Sequence, residues 1–314
     1  MIYRRIELAE INATLEQIEL QGGTRITCIP DLGPVQWPRD QLLRSPIDAA
    51  LRRAINHAPL GTVEPDGSTI KLSFNIYLIQ SQAGTIVVDA GIGNGKTRTD
   101  RPAWHRLDGP FLKILSLLGA PPADVDVVIN THLHADHVGW NTVPDGKGQW
   151  QPTFTSARYV TSAVELETLM ERAETAAKPQ ELLHGAWADS ILPIIEGPGY
   201  QKVRAGDQLC GLEFLGLPGH TAGMLGLLLK SGSETIVFSA DAIHHPIQLA
   251  NGASASNFCA DPARSITTRL DLLERCATER LLLAPYHFPD PAFGYIERTA
   301  SGYLFQPVRA YALQ

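Results

Sequence analysis

The chain has 314 residues, of which 44% are hydrophobic and 7% aromatic, so it can bury a sizeable core. Its net charge of −7 at pH 7 argues against a nucleic-acid partner, because such a partner requires a basic surface. The N-terminus has no apolar signal-peptide region, and no stretch approaches the roughly 20 apolar residues of a membrane span. We therefore expect a cytoplasmic protein with no membrane contact.

The first part of the chain, residues 1–68, is predicted to be an N-terminal extension packed on the core. It is predicted to hold a strand over residues 25–29, a proline-rich segment over residues 30–46 and a helix over residues 47–57. The core domain would then occupy residues 69–314.

The core is predicted to alternate strands with helices, which is typical of an α/β fold. Its strands are apolar runs, and a turn joins the first two as in a hairpin. The predicted strands cover residues 69–79, 85–88, 125–130, 235–240 and 281–286. The predicted helices cover residues 111–118, 164–177 and 261–278, the last with Asp261 as N-cap before Pro262.

The most informative segment is Thr131-His-Leu-His-Ala-Asp-His137, which we call the His-rich motif. His132 and His134 alternate, so on an extended segment they point the same way and can bind one cation. Asp136 and His137 follow where the chain should turn into a helix, and they can face a second cation. Imidazole and carboxylate without thiolate suit zinc, and also iron or manganese.

Three later residues can complete two metal sites. Each is a lone polar residue after an apolar run: His220 in a glycine-flanked loop, Asp241 after residues 235–240, and His287 after residues 281–286. Taken singly, each would more often be an ordinary loop residue. Together with the His-rich motif they predict a cluster at the ends of several strands.

These residues, in this order and preceded by Asp89-Ala-Gly91 after a strand, resemble the metallo-β-lactamase superfamily. The resemblance implies an α/β, four-layer αββα sandwich with the metals at one edge of its two sheets. It also implies that Asp89 supports the His-rich motif by hydrogen bonding; the equal alternative is that Asp89 is simply a turn residue. The implied cofactors are two divalent metal ions, Zn²⁺ first and Fe, Mn or Co as alternatives. The implied ligands are His132, His134 and His220 for one ion, Asp136, His137 and His287 for the other, and Asp241 for both.

The resemblance further implies a metal-dependent hydrolase in which a metal-bridging hydroxide attacks the substrate. The chain looks most similar to methyl-parathion-hydrolase-like and acyl-homoserine-lactonase-like enzymes. We therefore expect a lactonase or esterase that opens lactones or cleaves neutral aryl esters, with phosphotriester hydrolysis as the alternative. Asp241 stands where the commonest zinc β-lactamases carry cysteine, which makes a β-lactamase less favoured. A glyoxalase-II-type thioesterase and a mononuclear iron dioxygenase are also less favoured.

The candidate catalytic residues are Asp136 and His244. His244 lies three residues after Asp241, where many lactonases have a tyrosine, and its imidazole could assist the carbonyl oxygen or the leaving group. Alternatively, His244 or His245 simply packs against or caps the following loop.

The substrate is expected to be small and neutral, which calls for an apolar wall beside the metals. The candidates for this wall are Trp140, Phe258 and Trp37, with Leu42 beside them in the extension. Trp140 could equally be an ordinary core residue. A homodimer is expected only by analogy with the superfamily.

Overall fold

The computed structural model describes residues 1–43, 47–59, 61–250, 254–300 and 302–308. The strands, in chain order, are β1 (Ile2–Leu8), β2 (Ala13–Glu19), β3 (Arg25–Pro38), β4 (Thr69–Ser81), β5 (Gly84–Val88), β6 (Val127–Ile129), β7 (Thr142–Pro144), β8 (Trp150–Pro152), β9 (Arg158–Ser162), β10 (Tyr200–Val203), β11 (Gln208–Leu209), β12 (Leu212–Gly216), β13 (Leu225–Ser231), β14 (Glu234–Phe238), β15 (Leu282–Ala284), β16 (Gly294–Thr299) and β17 (Gly302–Pro307). The α-helices are α1 (Arg39–Leu42), α2 (Ala49–His57), α3 (Phe111–Leu117), α4 (Ala163–Thr175), α5 (Leu192–Glu196), α6 (Ile247–Ala250) and α7 (Pro262–Glu279).

Two large sheets organise the described residues. The first sheet has the strand order β1-β2-β3-β4-β5-β6-β9-β10, and the second runs β11 to β17 in sequence. A separate two-stranded ribbon joins β7 and β8. Most neighbours pair antiparallel, but β5–β6, β6–β9, β9–β10 and β14–β15 pair parallel. The carboxyl ends of the strands in each parallel pair therefore lie at the same edge of their sheet.

Apolar side chains pack in three layers around the sheets. The core between the sheets joins residues such as Ile79 of β4 and Phe238 of β14. On the outer face of the first sheet, Phe111 and Leu115 of α3 pack against β4, β5 and β6. On the outer face of the second sheet, Leu273 of α7 and its neighbours pack against β13, β14 and β15. Helix, sheet, sheet and helix thus form the predicted four-layer αββα sandwich. Within the described ranges we find no helix that is both long and apolar enough to cross a membrane.

The predicted helices of the core are present, with ends within two residues of those expected. Asp261 is the N-cap of α7, and its carboxylate accepts a hydrogen bond from the Arg264 N–H at 2.9 Å. All five predicted core strands are present: β4 and β5 are longer than predicted, and β6, β14 and β15 are shorter. After His137 the chain forms a 3₁₀ turn over Gly139–Asn141, where a helix was expected.

The N-terminal extension is built into the first sheet. The predicted strand 25–29 is only the first part of β3, which continues through the proline-rich segment to Pro38 and pairs with β4 along its length. β2 pairs with β3 only as far as Cys28, so the rest of β3 is an edge where a proline costs no ladder hydrogen bond. The ladder is also shifted between Pro30 and Val35. The boundary at residues 68/69 therefore marks no break in the sheet.

Helix α2 begins two residues later than predicted. Asp48 caps it by accepting the Leu51 N–H at 2.7 Å. Its buried residues Leu51 and Ile55 pack with Leu72 of β4 and Ile247 of α6. The extension is thereby brought next to the loop that follows Asp241.

Candidate active site

The predicted ligands meet at one edge of the sandwich because each follows the end of a strand. The His-rich motif follows β6, and Asp241 and His287 follow the parallel pair β14 and β15. His220 lies in the loop between β12 and β13. Since the carboxyl ends of parallel neighbours lie at the same edge of a sheet, the two sheets deliver these side chains to one place.

Three imidazoles form the first set of candidate ligands, which we call group 1: His132, His134 and His220. The Nε2 atom of His132 lies 3.1 Å from Nδ1 of His134, and Nε2 of His220 lies 2.9 Å from the same atom. The three nitrogens therefore converge on one point. Burial lowers the pKa of all three, that of His134 to about 4, so each ring is neutral at pH 7 and keeps a lone pair for a cation.

A second set, group 2, consists of Asp136, His137 and His287. Oδ2 of Asp136 lies 3.7 Å from Nε2 of His137 and 3.6 Å from Nε2 of His287. Asp241 lies between the groups, with Oδ1 3.3 Å from Nε2 of His137 and Oδ2 3.3 Å from Nε2 of His220. A carboxylate in this position can bridge two cations.

The outer nitrogens of two candidate ligands, His287 and His137, lie against groups of the surrounding structure. Nδ1 of His287 donates to the carbonyl oxygen of Ser73 at 3.0 Å, which directs Nε2 into the site. Asp89 follows β5, and its carboxylate accepts the N–H of Thr131 at 2.9 Å and lies 2.9 Å from Nδ1 of His137. Burial opposes protonation of His137, but the carboxylates of Asp89, Asp241 and Asp136 raise its pKa well above the ordinary value.

The cluster fits divalent metal ions. Nε2 of His137 and Oδ1 of Asp241 are buried and make no hydrogen bond with any described residue. Buried polar atoms without a partner are uncommon in folded proteins, and a cation between the two atoms would satisfy both. Imidazoles, which bind a metal ion in their deprotonated form, and carboxylates are also a ligand set that divalent transition metals bind.

His244 joins this cluster, whereas His245 does not. Nε2 of His244 lies 3.4 Å from Oδ2 of Asp241, and its ring stacks on that of His287 with 5.5 Å between centroids. Both ring nitrogens of His244 are buried without a hydrogen-bond partner among the described residues. Nε2 of His245 instead donates to the carbonyl oxygen of Thr62 at 3.0 Å, so His245 holds the loop in place.

A cavity of about 420 Å³ opens over the cluster. Trp37, Leu42 and Phe258 line it, and the Trp37 and Phe258 rings meet edge to face with 6.4 Å between centroids. His134, Asp136, His220, Asp241, His244 and His287 also line the cavity. The extension therefore contributes to the wall beside the cluster.

Trp140 is not part of this wall, which corrects the prediction of a substrate contact. It is 2% exposed and packs with Phe111 in the core on the outer face of the first sheet. Its indole N–H donates to Oδ1 of Asp31 at 2.6 Å. The side chain turns away from the cluster because the Gly139–Asn141 turn follows the His-rich motif immediately.

Sequence reasoning missed several residues of the cavity wall. Phe74 of β4 contacts Trp104 edge to face at 5.6 Å, and both line the cavity together with Leu182, Leu183 and His184. Leu183 and His184 have φ values of 53° and 59°, which non-glycine residues rarely adopt. No sequence pattern marks these positions, so only the folded chain shows that they meet.

A profile of the family described as "Metallo-beta-lactamase superfamily" matches residues 72–287. The match spans more than half of the chain, so the protein belongs to this superfamily of metal-dependent hydrolases, as the motifs implied. The His/Asp clusters support binding of divalent metal ions.

Among curated relatives, an N-acyl homoserine lactonase from Bacillus sp is 25% identical over 240 residues, which are 70% of this chain and 83% of the relative. Many solved structures share the fold, and two serve as examples. One is a hydrolase named AbOPH of the beta-lactamase superfamily, with a TM-score of 0.74, 21% identity and coverage of 98% of this chain and 97% of the other. The other is AidC, a dizinc quorum-quenching lactonase, with a TM-score of 0.74, 20% identity and coverage of 94% and 97%.

Proposed function

We propose that this protein is a dinuclear metallohydrolase that opens lactones or cleaves neutral aryl esters. The observation that carries the proposal is that group 1, group 2 and Asp241 lie together in one cluster beneath an aromatic-walled cavity. The relationship to an N-acyl homoserine lactonase supports the lactone substrate.

The cluster would hold two divalent ions, which we propose to be Zn²⁺. Bound there, they would supply Lewis acidity toward the substrate's carbonyl oxygen and lower the pKa of a water molecule toward neutrality. Asp241 would hold both ions at a fixed separation. Asp136 lines the cavity, so its carboxylate would face the reacting groups as well as the second ion.

His244 would donate a hydrogen bond to the leaving oxygen as the C–O bond breaks, and the proton that this oxygen finally carries would come from the attacking water. The ring lines the cavity beside Asp241, and burial lowers its pKa, so it is neutral at pH 7. A neutral imidazole has one N–H, which can donate to a substrate oxygen in the cavity. Removing one such hydrogen-bond donor to a developing oxyanion typically costs about 10²–10³ in rate.

The cavity would select small neutral substrates. Its volume of about 420 Å³ falls in the usual range for small-molecule sites. Trp37, Phe74, Trp104 and Phe258 provide apolar surface that would pack against an acyl chain or an aryl group and exclude water.

The proposal is tested by measuring hydrolysis of lactones, aryl esters, phosphotriesters and a β-lactam on the metal-loaded protein. We expect lactones and aryl esters to have the highest kcat/KM, and a chelator to abolish their turnover. The control is the same panel on Asp241→Ala, which should show no turnover above background. Turnover of phosphotriesters alone would establish the alternative substrate, and metal-independent lactone opening would refute the mechanism.

A further inference from the structure

Glu165 lies in the first turn of α4, but its carboxylate does not make the contact that is usual at this position. Ser162 is the N-cap of this helix, and its Oγ accepts the Glu165 N–H at 3.4 Å. The spacing Ser-x-x-Glu is that of a capping box, in which the glutamate carboxylate normally turns back to the N–H of the capping serine. In this protein the carboxylate points elsewhere.

The two carboxylate oxygens of Glu165 bind one ligand-bearing loop each. Oε1 accepts the N–H of Leu133, between His132 and His134, at 3.3 Å. Oε2 accepts the N–H of Gly223, three residues after His220, at 3.2 Å. Glu165 is only 7% exposed, so water competes little for these bonds. One side chain therefore connects the two loops that carry group 1.

The packing around Gly223 shows how closely α4 approaches these loops. A Cβ atom at position 223 would lie 2.3 Å from the backbone N of Glu165 and 2.8 Å from its Cα. Both are backbone atoms, which a side-chain rotation cannot move. The two loops also bind each other directly, because the Leu225 N–H donates to the Thr131 carbonyl oxygen at 2.9 Å. The carboxylate is thus a second connection, placed beside the ligands themselves.

We propose that Glu165 is a positioning residue for the metal ion held by group 1, an inference that rests on the proposed two-metal site. By fixing the backbone at Leu133 and Gly223, its carboxylate sets where His132, His134 and His220 converge. Outer contacts that orient metal ligands typically contribute about 10–100-fold to metal affinity. Group 2 is supported by other groups, namely Asp89 and the Ser73 carbonyl, so its ion should depend much less on Glu165.

The test compares Glu165→Ala and Glu165→Gln with Ser162→Ala as a matched control. Ser162→Ala removes the helix cap at the same site but leaves the carboxylate in place. Apo protein is titrated with Zn²⁺, and Co²⁺ binding is followed by visible absorption. We expect Glu165→Ala to weaken one of the two ions about 10–100-fold and to change the Co²⁺ spectrum. Glu165→Gln, which keeps one acceptor oxygen, should have a smaller effect. Ser162→Ala should lower the Tm without changing either affinity.

A double-mutant comparison assigns the affected ion. In a His220→Ala background, where group 1 is already broken, Glu165→Ala should not weaken the remaining ion further. In a His287→Ala background it should weaken the remaining ion as it does in the wild type. Unchanged affinities and Co²⁺ spectrum in Glu165→Ala would overturn the proposal. Equal weakening of both ions in proportion to the loss of Tm would also overturn it, because that is the result of a purely structural role.

Lactone hydrolysis by the wild-type protein is measured in parallel. A wild-type protein that binds two ions but opens no lactone would refute the proposed activity. In that case the titrations would still decide the role of Glu165, so the two failures are distinguishable.

Discussion

The ligand cluster and the cavity above it are adjacent, but the chain builds them by different means. The cluster is made of side chains that follow strands, so sheet pairing places them. The cavity wall comes from separate segments: the end of β3, the turn at Pro102–Trp104, residues 182–184 and Phe258. The Trp104 and His184 rings, with 6.1 Å between centroids, and the Asp100–His184 pair join the second and third of these segments. The position of the cluster therefore follows from the sheets, whereas the shape of the cavity depends on contacts between side chains.

The largest effect should come from the residue at the centre of the cluster. Asp241→Ala removes the carboxylate that lies between group 1 and group 2, so we expect loss of at least one metal ion and a decrease in kcat/KM of roughly 10³ or more. Metal analysis and steady-state kinetics measure both quantities. Asp271→Ala, which removes an exposed carboxylate on α7, is the control and should behave as wild type. Full activity with two bound ions in Asp241→Ala would mean that the cluster is not the metal site.

The next largest effect should come from His244, which lies beside Asp241 and lines the cavity. His244→Ala should slow lactone opening by about 10²-fold or more, because an alkoxide leaving group needs a hydrogen-bond donor as its charge develops. Hydrolysis of a nitrophenyl ester should fall far less, because nitrophenolate departs without one. Both metal ions should remain bound. If both substrates slow equally, His244 is not the hydrogen-bond donor to the leaving oxygen, and the metals alone stabilise the leaving group.

The wall should be sensitive to a buried ion pair beneath it. Arg98, which is 0% exposed, donates to both carboxylate oxygens of Asp189 at 2.6 and 2.9 Å. Asp100 and His184 make a second contact between the same two segments, at 2.5 Å. Asp189→Asn leaves the Arg98 cation buried without its counter-charge, which should cost about 3–5 kcal/mol of unfolding free energy.

Urea denaturation measures this loss, and the same variant should show a raised KM because the Asp100–His184 contact alone holds residues 182–184 less firmly than both pairs together. The matched control, Arg98→Met with Asp189→Leu, removes both charges and should recover much of the stability. An Asp189→Asn variant as stable as wild type would show that the pair does not hold the wall.

A smaller effect concerns the part of the wall that the extension supplies. Trp37→Ala removes an indole that contacts both Trp104 and Phe258, so KM for a long-chain lactone should rise severalfold while kcat changes little. Leu270→Ala, on an exposed face of α7, is the control. A change in kcat alone would place Trp37 outside the substrate site.

The sequence predicted the ligand cluster well and the cavity wall poorly. The His-rich motif, His220, Asp241 and His287 could be recognised because each polar residue interrupts or ends an apolar run. The extent of β3 could not, because prolines normally argue against a strand and only the edge position of residues 30–38 makes them tolerable. Trp140 was ambiguous since an aromatic residue beside a ligand loop can face the substrate or the core, and the backbone turn after His137 decides which.

The other residues that the sequence did not predict owe their roles to unusual backbone conformations or to contacts with residues far away in the sequence. Residues 182–184 reach the cavity through two successive left-handed conformations, for which Leu183 and His184 carry no signal. Glu165 was read only as part of a helix, because its contacts at Leu133 and Gly223 lie 32 and 58 residues away along the chain.

Two buried carboxyl groups, Glu16 far from the cluster and Asp241 within it, have pKa values shifted in opposite directions. Glu16 of β2 is 6% exposed, and it accepts hydrogen bonds from the Tyr3 hydroxyl at 2.9 Å and the Ala292 N–H at 2.8 Å. Burial raises the pKa of Glu16 to about 7 from 4.5, despite these bonds. For Asp241, burial acts in the same direction, but the surrounding imidazoles of His287 and His137 lower the pKa well below its ordinary value.

The pH dependence of stability should report this difference. Between pH 4.5 and about 7 the folded protein binds the Glu16 proton and the unfolded chain releases it, so the unfolding free energy falls as the pH rises. Glu16→Gln keeps an acceptor oxygen for the Ala292 N–H and cannot ionise. The stability of wild type relative to Glu16→Gln should therefore decline by roughly 1–3 kcal/mol across this window, measured by urea denaturation at several pH values. Parallel pH profiles for the two proteins would show that Glu16 ionises in the folded state as readily as in the unfolded chain.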